Sequence, residues 1–464
     1  MSLKKNIPDV FVIVFSLIVL AAVATWVVPG GSFERVSEQV GGVTREVPVV
    51  GSFTFEKSNP QFLQVFMAPM QGFLRLAEIV AFIFLVGGAF YILNETGAIA
   101  AGTTQLVRKL KGKEILIIPI VMTFFSLFGA VFGMCEEAMP FVLIFVPLAL
   151  SLGYDSFVGI SLSFLAAGVG FAGAFLNPFT LQIAQGLSGV PLVSGWEYRI
   201  VVWVIVTATT TAWIMIYAAR IKKDPTRSPM YDLDKIRREE ILKTQSELGA
   251  FTTRHGLSLV VLLAGVVGMI LGVSLYGWYI TELSALFLAM GLLSGIVAGQ
   301  SPNLLAKNFI LGVKDMASAA LVVAFAGGIL IVLESGNIMD TILYGLSSMT
   351  SRLPRILSAD AMYVMQMALN FVIPSGSTKA ALTMPLMGPL ADLSGITRQT
   401  AVLAYQLGDG FTNMIIPTSG VTIGTLAMAK IPYERWFKWH LPMQVYFFIL
   451  SLLLLVWPVL AHWE

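Results

Sequence analysis

The stretch Gly168-Val-Gly-Phe171 is echoed 240 residues further along the chain by Gly408-Asp-Gly-Phe411. The same shift relates two earlier sets of glycines, Gly72 with Gly312 and Gly87-Gly88 with Gly327-Gly328. Glycine weakens helices, so glycines that recur at one constant spacing indicate a backbone requirement that both stretches share. The echo therefore predicts two copies of one structural unit.

The composition is that of a membrane protein. Hydrophobic residues make up 56% of the 464 residues and charged residues only 12%, whereas soluble domains carry about 25% charged residues. The single cysteine, Cys135, excludes an intrachain disulfide framework. The first apolar run ends at Trp26-Val-Val-Pro-Gly30 without a small-residue cleavage pattern, so we interpret it as a retained first helix.

Two pairs of short apolar runs are each interrupted by a polar, glycine-bearing centre. The first pair covers residues 115–152 around Gly133-Met-Cys-Glu-Glu137, and the second covers 360–394 around Pro374-Ser-Gly-Ser-Thr-Lys379. Each run is too short, or too broken by glycine and proline, to cross about 30 Å of hydrocarbon alone. We therefore predict two re-entrant hairpins, whose tips lie inside the membrane where protein or a water-filled cavity satisfies the backbone.

Proline interrupts an apolar segment at a matched position in both copies. Asn177-Pro178 follows the first tip, and Pro417-Thr-Ser-Gly420 follows the second. Inside a helix, proline removes a backbone hydrogen bond and clashes with the preceding turn. We predict interrupted helices near residues 177 and 417, where a helix N-terminus can hold an anionic group and free carbonyls can coordinate a cation.

The basic residues predict the topology. Most of the 29 Lys and Arg residues lie on segments that are cytoplasmic if the N-terminus is inside and both hairpins re-enter, in agreement with the positive-inside rule. The two copies then have opposite orientations, and the C-terminus lies outside a bacterial inner membrane. The predicted fold is an all-α, multi-pass membrane protein with two inverted repeats, each with a re-entrant hairpin and an interrupted helix.

This topology divides the chain into six segments. They are a first helix and external loop (1–61), repeat 1 (62–219), a cytoplasmic connector (220–256), two linking helices (257–300), repeat 2 (301–440) and a last transmembrane helix (441–464). The connector has mixed charges and no apolar stripe, so we interpret it as a solvated linker.

Ionisable side chains at the membrane centre are costly, so each is a candidate functional residue. Four qualify by position: Glu136 and Glu137 in the first tip, Lys379 in the second, and Asp409 between two glycines. All four are predicted to bind substrate, and Glu136, Glu137 and Asp409 also to bind a coupling ion. The structural alternative for the glutamates is an ion pair that locks the hairpin. Lys379 is either a fixed counter-ion to a glutamate or the group that binds a substrate carboxylate. The glycines beside Asp409 could instead serve close helix packing.

Hydroxyl and amide side chains at the tips and breaks complete the predicted substrate site: Asn177, Ser375, Ser377, Thr378, Asn413, Thr418 and Ser419. Alternatively, these groups only satisfy backbone that the breaks leave unpaired. An apolar site and a neighbouring negative charge both disfavour the charged form of a carboxyl group. Glu136 or Glu137 could therefore take up a proton in the closed site, and this would couple transport to H⁺. Na⁺ is the other possible coupling ion. No further cofactor, metal-ligand spacing or nucleic-acid partner is predicted.

The tips and breaks are similar to those of a known family. The motifs that carry the similarity are Val27-Val-Pro-Gly-Gly-Ser-Phe33, Lys113-Glu-Ile-Leu-Ile-Ile-Pro119, Phe132-Gly-Met-Cys-Glu-Glu137, Gly170-Phe-Ala-Gly173 with Asn177-Pro178, Phe251-Thr-Thr-Arg-His255, Ile373-Pro-Ser-Gly-Ser377, and Gly408-Asp-Gly-Phe411 with Ile416-Pro-Thr-Ser-Gly420. Together they resemble the anaerobic four-carbon dicarboxylate carrier-like family of the ion transporter superfamily, and most closely its branch of basic amino acid (arginine/ornithine) antiporters. The resemblance implies a scaffold domain, a moving transport domain, an elevator mechanism and a homodimer.

One difference from the family bears on the substrate. The family's second tip continues Pro-Ser-Gly-Ser with Gly-Gln, whereas this chain has Thr378-Lys379. A site with three carboxylates and no lysine would suit a cationic amino acid as substrate. With the lysine present, a carboxylate or a neutral amino acid becomes the more plausible substrate. Alternatively, the lysine could substitute for a bound sodium ion. We predict a secondary transporter, not an enzyme, for an amino acid or small carboxylate, as an exchanger or cation-coupled symporter in the lipid bilayer. A four-carbon dicarboxylate carrier, a channel and a membrane-embedded enzyme are the alternatives.

Overall fold

The computed structural model describes residues 10–40, 43–49, 51–109, 112–247, 251–350 and 353–464. This part of the chain is mostly helical. Six of its helices are long and apolar enough to cross a bilayer, or seven if one bent helix is counted as a span. Four short strands also occur there, so the predicted all-α class is wrong in this detail.

The strands lie in the loop after the first helix, α1 (Val10–Val27). They are β1 (Gly30–Ser32), which pairs with β4 (Thr54–Glu56), and β2 (Arg35–Val40), which pairs with β3 (Val43–Pro48), both antiparallel. Valine and threonine are frequent between residues 36 and 49, and such β-branched side chains favour strands over helices. The loop therefore folds as two ribbons.

An ion pair fastens this loop to the second half of the chain. The Arg35 guanidinium lies 2.7 and 2.9 Å from the two carboxylate oxygens of Asp340, and the Phe33 backbone N–H donates to the same carboxylate at 3.0 Å. Asp340 belongs to α15 (Met339–Thr350). Contacts to both carboxylate oxygens restrict geometry as well as adding energy, so the ribbons have a defined position against α15.

The two copies meet along three helices. In the first copy these are α2 (Gln64–Arg75) and α3 (Ala77–Glu95), and in the second a single helix, α14 (Pro302–Ser335), which is bent by 41° near its middle. Proline at the first position of α14 is tolerated because its missing N–H would have no helical partner. Ser301 caps this helix by accepting a hydrogen bond from the Leu304 N–H at 3.3 Å.

The echoed glycines contact one another across these helices. A methyl group at Gly72 would lie 2.5 Å from the Gly328 nitrogen, and one at Gly312 would lie 2.4 Å from the Gly87 carbonyl oxygen. Only glycine allows backbones to approach this closely. Gly72 thus contacts Gly328, and the later residue Gly87 contacts the earlier residue Gly312. The equivalent helices of the two copies therefore run antiparallel.

The other helices of the first copy follow in sequence. They are α4 (Ala98–Lys109), α5 (Ile117–Phe132), α6 (Val142–Ser151), α7 (Ser156–Ile160), α8 (Ala166–Ala172), α9 (Leu181–Leu187) and α10 (Trp196–Lys223). Short 3-10 helices over Glu114–Leu116 and Glu136–Phe141 precede α5 and α6, and a π-helical turn over Ser161–Leu165 joins α7 to α8. The chain is not helical at 133–135, within the segment interpreted as the first tip, nor at 173–180, around the first proline.

The second copy continues after α15 with a similar order. Its helices are α16 (Arg355–Asn370), α17 (Gly376–Leu393), α18 (Arg398–Asn413), α19 (Gly420–Met428) and α20 (Tyr433–Ala461). Residues 371–375 and 414–419 are not helical and lie at the second tip and the second proline. α20 is a single helix of 29 residues, so the expected start of the last helix at 441 is wrong; Pro432 at its start sets the earlier boundary.

The predicted connector is more ordered than its composition suggested. It contains a 3-10 helix (Pro225–Arg227) and α11 (Tyr231–Glu247), followed by the linking helices α12 (Thr253–Tyr276) and α13 (Ile280–Ala298). Asp234 of α11 is 1% exposed and accepts a hydrogen bond from the Ser156 N–H at 2.8 Å. Burial raises the pKa of the Asp234 carboxyl, although the bonds from Ser156 oppose the shift. α11 therefore docks on the start of α7, and the interpretation as a solvated linker is wrong there.

Corresponding helices of the two copies have corresponding neighbours. α5 packs against α8 in the first copy, and α16 packs against α18 in the second. The copies also contact each other, because α9 of the first copy packs on α17 of the second, and α19 of the second packs on the 3-10 helix of the first tip. α8 of the first copy packs against α18 of the second. The non-helical tips and breaks thus lie at the contact between the copies.

We expect Gly170→Ala to lower the melting temperature strongly. A methyl group at Gly170 would lie 1.8 Å from the Ser126 carbonyl oxygen of α5, and overpacking of this kind costs about 1–3 kcal/mol or more. Thermal unfolding of the purified protein measures the effect. The control is Gly268→Ala in α12, where the nearest atom, on Leu286, is 3.6 Å away. Equal melting temperatures for the two variants would contradict the close packing of α5 on α8.

Candidate functional site

The first tip is shaped by Gly133, which ends α5. Gly133 has a φ of 69°, the left-handed conformation that terminates many helices and favours glycine. A methyl group there would lie 2.4 Å from the Asn177 Oδ1, so the tip packs on the first break. Glu137 is 4% exposed and accepts a hydrogen bond from the Cys135 N–H at 3.0 Å. Its neighbour Glu136 is half-buried.

The first break is held by the amide of Asn177. Its Oδ1 accepts hydrogen bonds from the backbone N–H groups of Phe179 at 2.8 Å and Thr180 at 3.2 Å. Pro178 has no N–H to donate. The Asn177 Nδ2 and the Thr180 hydroxyl are buried without a hydrogen-bond partner in the described part of the chain. Asn177 therefore satisfies the interrupted backbone with its oxygen, while its amino group stays without a partner among the described residues.

Lys379 and Asp409 form a fully buried ion pair between α17 and α18. The Lys379 Nζ lies 2.8 Å from the Asp409 Oδ1, and both side chains are 0% exposed. The ammonium also donates to the Asn370 Oδ1 at 3.0 Å and to the Gln366 carbonyl oxygen at 3.3 Å, and it lies 5.4 Å from the centre of the Tyr405 ring. The counter-ion of Lys379 is therefore Asp409 and not a glutamate.

Asn370, the last residue of α16, ties the second hairpin to α18. Its Nδ2 donates to the Thr412 Oγ1 at 2.7 Å and to the Asn413 Oδ1 at 3.0 Å. Asn413 in turn donates to the Asp409 Oδ2 at 3.3 Å. The sequence pattern did not point to Asn370 or Gln366. Their spacing of four residues, which places two amides on one face of an apolar helix, was the available signal.

Ser375, Ser377 and Thr378 lie on the outer side of the second tip. Ser375 is exposed and its hydroxyl donates to the Thr378 Oγ1 at 3.0 Å, while Ser377 and Thr378 are half-buried. Lys379, the next residue, is fully buried. The sequence analysis assigned these three hydroxyl residues and Lys379 to one substrate site. In the structure the hydroxyl residues lie nearer the surface, and the ammonium lies in the interior.

The second break places one hydroxyl group in the interior without a partner. Pro417, Thr418 and Ser419 are all buried between α18 and α19. Ser419 caps α19, because its hydroxyl accepts a hydrogen bond from the Thr422 N–H at 3.4 Å. The Thr418 hydroxyl has no hydrogen-bond partner among the residues described. Of these two hydroxyls, therefore, only that of Ser419 is used by the backbone of the break.

The structure brings the two tips and the two breaks into one central region. Cys135 of the first tip shares a small internal cavity with Asn413 and Gly410 of α18. The second tip contacts the first break, since a methyl group at Gly376 would lie 2.7 Å from the Thr180 Cγ2 and 2.9 Å from an oxygen of Asp409. Each tip therefore adjoins elements of the opposite copy.

The buried charges in this region are unequally compensated. Lys379 and Asp409 neutralise each other. No ion pair to Glu136 or Glu137 occurs within the described ranges, and these two carboxylates repel each other. Uncompensated charge is unfavourable away from water, so the first tip is suited to bind a cationic group or protons.

The linking helices also contribute to the first tip, which the sequence did not indicate. Tyr279, which precedes α13, stacks on Phe179 of the first break with 5.5 Å between ring centres. Met269 of α12 lines a small cavity together with Glu137 of the first tip. Residues 257–300 thus do more than connect the repeats, because they form one wall beside the glutamates.

Apolar helices long enough to cross a bilayer, together with interrupted helices beside buried charges, are features of many membrane transporters. The sequence matches the C4-dicarboxylate anaerobic carrier family, DcuC, over residues 7–460. The chain belongs to this transporter family.

Two relatives are similar over nearly their whole length. The Escherichia coli (strain K12) protein named "Putative basic amino acid antiporter YfcC" is 39% identical, over 93% of this chain and 92% of that protein. An uncharacterized protein of Haemophilus influenzae is 30% identical, over 97% and 96%. Among solved structures, Neisseria gonorrhoeae MtrF has a TM-score of 0.44 at 16% sequence identity, and the similarity covers 99% of this chain and 96% of MtrF. The Alcanivorax borkumensis YdaH transporter has a TM-score of 0.42 at 17% sequence identity, and the similarity covers 97% of this chain and 98% of YdaH.

Proposed function

We propose that this protein is a secondary transporter that exchanges a cationic amino acid across the bacterial inner membrane. The observation that carries the proposal is the unequal compensation of buried charge. Lys379 is already paired with Asp409, so it does not offset Glu136 and Glu137, which have no cation in the described structure. The similarity to a relative named as a basic amino acid antiporter supports the same substrate class.

The substrate has two charged ends, and the proposed site offers a partner to each. The side-chain cation lies at Glu136 and Glu137 in the first tip. The α-carboxylate lies near the start of α19, where the N-terminus of the helix favours an anion and the Thr418 hydroxyl lacks a partner. The free amino group of Asn177 is a further donor. Glu136, Glu137, Asn177, Thr418 and Asn413 are the residues to which we assign binding.

Exchange follows from the charge of the empty site. Moving two uncompensated carboxylates through the bilayer centre costs several kcal/mol, so the empty carrier reorients slowly. A cationic substrate, or protons in its place, lowers this barrier by offsetting the negative charge. Exchange of one cationic amino acid for another therefore needs no coupling ion, and H⁺ is the ion that these glutamates could carry if net uptake occurs.

The movement itself belongs to the same proposal. We assign the antiparallel glycine contact between α14 and the α2–α3 pair to a scaffold formed by two inverted repeats. The hairpins and interrupted helices form the transport domain, which moves against the scaffold as an elevator within a homodimer. The N-terminus is assigned to the cytoplasm and the C-terminus to the outside. Antiparallel packing of equivalent helices supports the inverted relation.

A four-carbon dicarboxylate is the second candidate, because the family is described as a C4-dicarboxylate carrier. A dianion at the same place would require Glu136 and Glu137 to be protonated. The two substrates therefore predict opposite effects of pH: dicarboxylate uptake rises as the medium becomes acidic, whereas cationic exchange falls as the glutamates lose their charge.

Counterflow in proteoliposomes tests the proposal. Vesicles loaded with unlabelled arginine, lysine or ornithine are expected to accumulate labelled arginine transiently and saturably. Vesicles loaded with succinate or fumarate and supplied with the same labelled dicarboxylate are expected to accumulate no more label than empty vesicles. Accumulation of labelled dicarboxylate without accumulation of labelled arginine would overturn the cationic assignment. Flux that is not saturable and shows no counterflow would indicate a channel.

A further inference from the structure

The surroundings of the Lys379 ammonium are those of a bound metal cation. Three oxygens lie around the Nζ: a carboxylate oxygen of Asp409 at 2.8 Å, the amide oxygen of Asn370 at 3.0 Å and the main-chain carbonyl oxygen of Gln366 at 3.3 Å. Carboxylate, amide and carbonyl oxygens are the ligands that hard cations take in proteins. One carboxylate also balances one positive charge, which matches a monovalent ion.

The oxygen ligands do not depend on the lysine for their positions. Gln366 and Asn370 belong to α16 and Asp409 to α18, whereas Lys379 enters from α17. The orientation of the Asn370 amide is set from its other end, because its Nδ2 donates to the Thr412 Oγ1 at 2.7 Å and to the Asp409 carbonyl oxygen at 3.1 Å. The cage therefore remains formed when the lysine side chain is shortened.

A buried carboxylate without a cation is strongly unfavourable, because an uncompensated charge in the interior costs several kcal/mol. Shortening Lys379 to alanine removes its ammonium and three methylenes, and leaves Asp409 with space beside it. The side chains of Asp409 and Lys379 are 0% exposed, so bulk water does not screen this charge. Neutrality is then restored either by protonation of Asp409 or by a small monovalent cation that fits the remaining space, and the dependence of stability on Na⁺ distinguishes the two.

We infer that the Lys379 ammonium is a covalently held cation in a sodium-type site, so that transport by this chain needs no Na⁺ at this position. Replacement of the lysine by a small residue converts the cage into a sodium site. The inference refines the coupling ion of the proposed exchanger. Its test is nevertheless independent of the substrate, because cation binding is read from protein stability.

The experiment compares three purified variants in NaCl and in KCl at equal ionic strength. Lys379→Ala is expected to have a higher melting temperature in NaCl, with a shift that grows with the logarithm of the Na⁺ concentration, as linkage requires for a ligand of the folded state. Lys379→Met, which fills the same space without charge, is expected to show no such difference. Lys379→Ala with Asp409→Asn lacks the charged ligand and is also expected to show none.

The difference between the Ala and Met variants is the deciding quantity, since Na⁺ sites elsewhere affect both equally. Equal Na⁺ responses of Lys379→Ala and Lys379→Met overturn the inference, and so does an unchanged response when Asp409→Asn is added. If Lys379→Ala cannot be purified, Lys379→Ser replaces it and supplies one more oxygen. Failure of arginine counterflow would refute the proposed substrate and leave the stability result untouched.

Discussion

Replacing Glu137 with glutamine is expected to reduce arginine counterflow by roughly 30-fold or more. Glu137 is the more buried of the two tip glutamates. Losing one member of a buried, charge-paired contact costs about 2–5 kcal/mol, and each 1.4 kcal/mol is a factor of about ten. Glutamine has nearly the same shape, so the fold is retained. Glu136→Gln is expected to have the same direction with a smaller effect, because that side chain is only half-buried.

The measurement is initial counterflow in proteoliposomes over a range of arginine concentrations and of pH. The matched control is Glu197→Gln, which neutralises an exposed carboxylate in the first turn of α10 and is expected to leave counterflow unchanged. If the Glu136→Gln, Glu137→Gln double variant retains the KM for arginine, the first tip does not bind the cation. If Glu137→Gln keeps the pH dependence of the unmodified protein, Glu137 does not carry a proton.

Breaking the Lys379–Asp409 pair is expected to lower the free energy of unfolding by about 3–5 kcal/mol for either Lys379→Met or Asp409→Asn, measured in KCl. Each single substitution leaves the opposite charge buried without its counter-ion. The double variant removes both charges and is expected to recover most of the loss. Thermal or denaturant unfolding of the four proteins gives the coupling between the two side chains.

An exposed ion pair provides the control for this cycle. Lys430 and Asp315 lie 3.1 Å apart, with side chains 65% and 43% exposed. Exposed pairs contribute about 0–1 kcal/mol, so Lys430→Met and Asp315→Asn are expected to have small effects on unfolding. If the losses from Lys379→Met and Asp409→Asn simply add in the double variant, the two buried charges do not stabilise each other.

Local sequence signals carry information about where helices stop. Gly133 supplies the left-handed residue at the end of α5, and Pro178 and Pro417 cannot continue a helical hydrogen-bond pattern. These effects act over a single turn and are visible in a stretch of a few residues. The start of α20 at Tyr433 was missed, because the charged residues that follow Pro432 look like a loop until the rest of the protein buries Trp436.

The sequence did not identify the partner of each charged residue. The sequence located Glu136, Glu137, Lys379 and Asp409 as costly groups, yet it offered a glutamate as the counter-ion of Lys379. The observed partner lies 30 residues away on the next helix. Asn370 and Gln366, which complete the surroundings of the ammonium, carry no charge, so the cost of burying ionised groups did not draw attention to them.

What the sequence determined by itself is therefore the duplicated plan: apolar segments, glycines at a constant spacing, and prolines that interrupt matched helices. These features depend on backbone geometry and on hydrophobic length, which are properties of short segments. Only the tertiary structure decided that Lys379 is neutralised by Asp409 while Glu136 and Glu137 remain without a cation in the described structure. Ion pairing in the interior depends on separations of a few ångströms between different helices, and those separations are set by the packing of the whole fold.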